Sequence, residues 1–181
     1  PIPPLSHSKS IANEDKTNFD LRNHLHRLFG TDLSLIDGIS TLTSQVLYTE
    51  IGPDLSMFPT ANHFCSWLGL SPQNKISGGK ILSSRTRPGS NRAAQALRLS
   101  ANTLIRSKSY LGDYYRRMRT RLGAPKAITA TAHKLARIIY HLIKNRKPFD
   151  DTVFAEQERK HQERMKKRLI TRAKSLGLQL V

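Results

Sequence analysis

Acidic residues are almost missing from the middle of this chain. Residues 55–149 contain one carboxylate, Asp113, against eighteen Lys and Arg. The flanks are more ordinary, with four cations and seven acids in residues 1–54 and eight cations and five acids in residues 150–181. The middle segment therefore accounts for a charge equal to the whole net charge of +17. A solvated protein surface mixes both signs. A long stretch with a single acid points instead to a polyanion, whose neutralised phosphates release counterions. Nucleic acid fits this better than lipid, because no segment couples the cations to a strong apolar face. The same shortage excludes a two-metal nuclease site within the segment, since that chemistry needs several acids converging on the ions.

Cysteine is as scarce. Cys65 is alone, which excludes an intrachain disulfide and a cysteine-based zinc site. It lies in Ala61-Asn62-His63-Phe64-Cys65-Ser66-Trp67-Leu68, a pattern of buried helix, and reads as core packing. Long apolar runs are missing too, as is a charged-then-apolar leader with a small-residue cleavage site. The expectation is a soluble, intracellular protein with no membrane partner. No Gly-x-x-x-x-Gly-Lys-Ser/Thr loop, His-Glu-x-x-His pair or Gly-x-Ser-x-Gly elbow occurs.

What is present suits one domain with an appendage: 181 residues, of which 38% are hydrophobic, slightly low for a fully packed chain. Residues 1–17 open Pro1-Ile2-Pro3-Pro4 and have linker composition. With no leading methionine, the expectation is the tail portion of something longer or a truncated reading frame. Residues 18–148 read as the main helical domain and 149–181 as a charged C-terminal helical appendage. The fold class expected is mostly α: a compact helical domain with a helix-hairpin-helix-like element, a long catalytic loop and a charged C-terminal helix.

Leu21, Leu25 and Leu28 recur at helical spacing from Asp20 to Phe29, and Gly30 is the stop. His24 and His26, two apart, point to opposite sides of that helix and read as solvated. Leu33 to Gly52 reads as an apolar turn, a Gly-containing hairpin and an apolar helix. There Gly38 and Ser40 are candidates for holding a phosphate on backbone amides, and a purely structural hairpin is an equal alternative. Thr60 caps a short helix through Trp67. Asn91 caps a helix over Arg92 to Ser107, with Ala93, Ala94, Leu97, Ala101, Leu104 and Ile105 buried. A helix from Tyr110 to Leu122 is broken by Gly123-Ala124-Pro125. Another, Lys126 to Lys144, presents Ile128, Ala132, Leu135, Ile138, Ile139 and Leu142. Thr152 to Lys174 is charged nearly all round, as in a surface, partner-binding or RNA-facing helix.

Between these helices, Ser71 to Gly89 reads as a loop too polar for a core strand and too broken for a helix, long enough to suggest function. Its centre is Ser77-Gly78-Gly79-Lys80. A serine hydroxyl becomes a phosphate nucleophile only with a base or a strongly electropositive pocket. Gly78 and Gly79 permit close backbone approach. Lys80, Arg85, Arg87 and Arg92 are placed to stabilise a pentacovalent phosphate by charge. The plainer alternative is a Ser-Gly-Gly loop that only binds phosphate. Asn91 is counted with the phosphate-contacting residues, and Arg116, Arg117 and Arg119 with the cations that grip a DNA backbone.

One ordered set of short motifs runs through residues 20–145: Leu35-Ile36-Asp37-Gly38-Ile39, Glu50-Ile51-Gly52, Phe58-Pro59-Thr60, Trp67-Leu68-Gly69-Leu70-Ser71-Pro72, Ser77-Gly78-Gly79-Lys80, Asn91-Arg92-Ala93-Ala94 and Ala132-His133-Lys134-Leu135-Ala136. In this order they resemble the C-terminal transposase domain of the insertion-sequence-110 family. The resemblance implies a serine, matched by Ser77, that joins covalently to DNA. It implies as partners double-stranded DNA of the element ends and target, together with a structured guide RNA (the bridge RNA), and a homo-oligomer in full-length members. It also implies a cytoplasmic, nucleoid-associated bacterial protein. Full members add an N-terminal RuvC-like domain whose acids bind magnesium (Mg2+). Nothing in this chain corresponds to that domain, so no metal or cofactor is expected on the chain itself, and activity is expected only in its company. The competing reading is a non-catalytic helix-hairpin-helix protein that binds DNA or RNA, the remnant of an inactivated element.

Overall fold

A computed structural model describes residues 19–89, 91–150 and 152–175. The linker-like residues 1–17 lie outside the described residues. Among the described residues there are seven α-helices and one two-stranded sheet: α1 Leu21–Phe29, α2 Thr41–Ile51, α3 Ala61–Trp67, β1 Lys75–Ser77, β2 Lys80–Ser83, α4 Arg92–Thr103, α5 Tyr110–Leu122, α6 Ala124–Asn145 and α7 Thr152–Ser175. The mostly α expectation holds. The chain divides into two compact units between Phe149 and Asp150, the first holding α1 to α6 and the second α7. Among the described residues no helix is long and apolar enough to cross a membrane.

Local chemistry sets most helix ends. Asp20, Ser40, Thr60, Asn91 and Ser109 each accept a backbone N–H of the turn they open, which satisfies donors a helix start leaves unpaired. Gly30 closes α1 at φ +71, a left-handed position that glycine takes without strain. Pro125 sits in the first turn of α6, where its missing N–H costs nothing.

The long helix α6 is the spine of the first unit and packs against α3, α4 and α5. Its buried side chains are Ala127, Thr131, Ala132, Leu135, Ala136, Ile139, Tyr140 and Ile143. Of the face the sequence pattern predicts, Ala132, Leu135 and Ile139 are fully buried. Ile128, Ile138 and Leu142 are only partly buried at its margin, while the small residues Ala127 and Ala136 are fully buried. Tyr140 pins α6 to the α3 region by donating its hydroxyl to the Phe58 carbonyl at 2.8 Å. It also joins Phe58, Phe64 and Trp67 in an aromatic cluster. The buried face of α4 is as expected through Ala101, but the helix stops at Thr103. Leu104–Arg106 continue as a single 3-10 turn, with Leu104 still in the core.

Two packing details carry expected outcomes. Thr131 is fully buried and its hydroxyl has no hydrogen-bond partner among the described residues. Thr131→Val keeps the shape and removes the unsatisfied group, so it is expected to raise stability by about 1 kcal/mol. Thermal melting reads this as a midpoint higher by roughly 2–4 °C. Gly112, in the first turn of α5, lies against the chain just before the helix. A Cβ there would sit 2.2 Å from the Ser107 carbonyl oxygen and 3.0 Å from that of Leu104. Helix propensity alone makes Gly112→Ala favourable by about 1 kcal/mol. The clash with backbone, which cannot swing aside, reverses the sign, and a net loss of about 2 kcal/mol is expected in urea titration.

Candidate functional site

The segment expected to be an irregular loop is a β-hairpin. Lys75, Ile76 and Ser77 pair with Ser83, Ile81 and Lys80 in antiparallel register, with an irregularity between Lys75 and Ile76, and an isolated bridge joins Pro72 to Thr86 nearer the core. Gly78 and Gly79 form the two-residue turn at φ +54 and +74. Positive φ at both central positions matches the twist of paired strands and is the reason glycine occupies both. The correction has a simple cause. Both strands are exposed almost throughout, so neither shows the alternation that a half-buried strand carries.

Ser77 is therefore the last residue before the turn, directly across from Lys80. Successive strand residues face opposite ways, which puts Lys75 on the same side as Ser77 and Ile76 on the other. The Ser77 side chain is exposed, and its hydroxyl has no hydrogen-bond partner among the described residues. No histidine or carboxylate among the described residues is bonded to it as a base. The hairpin root is held: Gln73 N–H donates to the Arg85 carbonyl at 2.9 Å, and the Arg98 guanidinium reaches the Gly69 carbonyl at 3.4 Å. Extended backbone advances about 3.4 Å per residue, so Ser77 stands roughly 17 Å along the ribbon from Pro72.

The cations expected to serve this serine are not equivalent. Lys80 begins β2, and Arg85 and Arg87 follow that strand at the hairpin root, on either side of Thr86, with side chains unpaired among the described residues. Arg92 begins α4 and forms a 3.5 Å ion pair with Glu50 while remaining 75% exposed, so the pair holds it weakly. Asn91 is committed to capping α4, its Oδ1 accepting from the Ala94 N–H at 2.9 Å.

On α5 the three arginines also separate. The Arg116 guanidinium donates to the carbonyls of Ile105 at 3.0 Å and Ser107 at 2.6 Å and pairs with Asp113. Its first duty is to tie down the 3-10 turn before α5. Arg117 lies 5.9 Å from the Tyr110 ring centre. Lys134 of α6 is 4.6 Å from the ring centres of both Tyr110 and Tyr114 and donates to the Tyr110 hydroxyl at 2.9 Å. Arg119 is exposed, with its side chain unpaired among the described residues.

The hairpin that precedes α2 also differs in detail from a full helix-hairpin-helix. Its first arm is one 3-10 turn, Leu33–Leu35. Gly38 has φ +85, and a Cβ there would lie 2.8 Å from the Ser100 carbonyl oxygen, so packing against α4 alone requires glycine. Ser40 uses its hydroxyl to cap α2 through Thr43 N–H at 3.1 Å.

Cys65 is fully buried, as expected. Burial pushes its thiol up to about 11, and the Sγ–H points at the His133 carbonyl at 3.9 Å. Burial, with a smaller contribution from Arg137, holds His133 below the ordinary histidine range. Its imidazole is neutral at pH 7. Among the described residues no three His, Cys, Asp or Glu side chains come together. The described residues offer no set of oxygen donors that fits a magnesium ion.

The fold and charge distribution define a basic helical domain that presents a serine on an exposed hairpin. Residues 30–116 of this domain match the model of the transposase IS116/IS110/IS902 family. The match spans α2 to α4, the whole serine hairpin and α5 as far as Arg116. Among similar proteins, the uncharacterized 43.6 kDa protein of insertion element IS110 from Streptomyces coelicolor is 36% identical over 90 residues, 49% of this chain and 22% of the relative. A protein of Sinorhizobium fredii named as a putative transposase, y4pF/y4sB, is 28% identical over 147 residues, 75% of this chain and 37% of the relative. The chain thus spans between about a fifth and two fifths of the length of these relatives.

Proposed function

We propose that this chain is the serine-bearing part of a transposase that cuts and rejoins DNA through a phosphoserine link, with Ser77 as nucleophile. The observation that carries this reading is the exposed Ser77 at a hairpin tip, with Lys80 across from it and Arg85 and Arg87 beyond the returning strand at the hairpin root, inside the family-matched segment. Attack by Ser77 Oγ on a backbone phosphorus forms an Oγ–P bond and breaks one P–O bond of the strand. The serine proton ends on the released strand oxygen. A strand hydroxyl then attacks the phosphoserine, reforms a phosphodiester and returns the proton to Ser77. One phosphodiester replaces another, so no external energy source is needed.

The hydroxyl is weak at neutral pH, and the residues bonded around it supply no base. Charge stabilisation by Lys80, directly across from Ser77, is what this chain offers the transition state, while Arg85 and Arg87 at the hairpin root would meet phosphates further along the strand. The proton acceptor and the metal-binding acids would come from an accompanying RuvC-like domain. Arg119 and Arg117 would follow the DNA backbone, and a guide RNA and further copies of the protein would complete the assembly.

The test combines this chain with such a domain, guide RNA and nicked DNA, followed by a denaturing gel for a protein–DNA adduct. An adduct is expected with the wild type. Its absence there, or its survival in Ser77→Ala, overturns the assignment. The binding-only reading, favoured by the lack of a base bonded to Ser77, expects salt-dependent DNA binding and no adduct in either protein.

A further inference from the structure

The hairpin, α5 and α6 bound a cleft of about 990 Å³. Ile81 and Leu82 form its hairpin wall, Tyr114, Lys126 and His133 line the helical side, and Arg85 stands at the return of the ribbon. Among the described residues no carboxylate lines it. Ile81 and Leu82 are 62% and 70% exposed, an uncovered apolar pair on a ribbon with no buried face. A two-stranded ribbon alone is marginally stable in water, and a ligand against its apolar residues would hold it. Burial pushes the Tyr114 phenol above its ordinary range and His133 below its own. Both groups are neutral at pH 7 and able to hydrogen-bond without charge.

We propose that this cleft receives an unpaired base of the DNA strand next to the phosphate at Ser77. The inference rests on the nucleophile reading for its choice of strand. Three chemistries coincide in the cleft. Apolar walls suit the face of a base, neutral Tyr114 and His133 suit its edge, and Arg85 and Lys126 suit the phosphates on either side. A base within a duplex has both faces covered by its neighbours, so only an unpaired one can use such walls. Moving a cut strand to a new partner requires unpaired bases beside the cut. Ile81 is one strand step, about 3.4 Å, beyond Lys80, which pairs with Ser77, and it faces the other side of the ribbon, so the strand would cross the ribbon edge between its phosphate at Ser77 and its base in the cleft. An acidic peptide would satisfy the cations but would leave the apolar pair without a planar partner.

The test measures fluorescence anisotropy of the full chain with four probes of equal length: an unpaired DNA oligonucleotide, the same backbone with abasic residues, an RNA oligonucleotide and a duplex. Intact unpaired DNA is expected to bind about tenfold more tightly than the abasic backbone. The double variant Ile81→Ser, Leu82→Ser is expected to erase this difference while leaving abasic affinity within about twofold, since no charge changes. Both side chains are mostly exposed, so the substitutions spare the core. Equal binding of intact and abasic DNA overturns the proposal, as does a base preference that survives in the double variant. A larger base preference with RNA than with DNA overturns the choice of DNA. Absence of affinity for every probe overturns it and leaves the cleft to a peptide. A base preference without a Ser77 adduct overturns only the nucleophile reading, and an adduct without a base preference overturns only this one.

Discussion

Ser77→Ala is expected to abolish the covalent protein–DNA adduct, a loss on the order of 10³-fold or more, as for other enzymes deprived of their nucleophile. It should leave DNA affinity within about twofold, because the hydroxyl is uncharged and affinity for a polyanion comes from cations. Fold stability should stay within about 0.5 kcal/mol, since the residue is exposed and its hydroxyl has no partner among the described residues. Replacing Lys80, Arg85 and Arg87 together with alanine gives the opposite profile. Binding weakens, and the slope of log affinity against log salt falls by about 0.9 for each phosphate that is no longer neutralised. Adduct yield at saturating DNA falls as well, because the Lys80 charge across from Ser77 stabilises the transition state. Paired measurements of adduct yield and salt slope separate the two roles. A triple variant with an unchanged salt slope would show that the hairpin cations do not meet DNA.

Asp32→Ala is expected to destabilise the first unit by about 3–5 kcal/mol, a large part of the stability of a domain this size. Asp32 and its partner Arg22 are only 7% and 14% exposed, and their closest approach is 2.5 Å. The carboxylate also accepts the backbone N–H of Ser34 at 3.0 Å and the Ser34 hydroxyl at 2.6 Å. Alanine strands the Arg22 guanidinium in a site with little water and removes the cap of the 3-10 turn that leads to Gly38. The cost comes chiefly from the orphaned charge. Removing both charges with Arg22→Met and Asp32→Leu should therefore recover more than half of the loss. Urea unfolding of the two single variants and the double variant measures this coupling directly. If the double variant is as unstable as Asp32→Ala, the stranded charge is not the cause.

Much of the helical framework was legible because its signals are local. The caps at Asp20, Thr60 and Asn91 and the stop at Gly30 act within one turn, and α1, α3, α5 and α7 appear within a residue or two of the spans expected. The hairpin does not stand out in the sequence, although its central dipeptide carries the signal. Gly78-Gly79 between Ile76 and Ile81 is hairpin turn chemistry, but exposed strands rich in Ser and Lys do not alternate as half-buried ones do. Arg116 was grouped with Arg117 and Arg119 because a sequence counts cations without showing which are engaged. The carbonyls of Ile105 and Ser107 become its partners only once α5 has folded back on the turn before it.

By itself the sequence determined the helical class, the fate of Cys65 and the location of the charge excess, since periodicity and composition need no partner to be read. Tertiary structure decided which cations remain available, why Gly38, Gly78, Gly79 and Gly112 are glycines, and that Ser77 stands exposed at the tip of a ribbon beside an apolar cleft. These depend on distances between residues far apart in the chain. Packing sets those distances, and neither charge nor spacing along the chain records them.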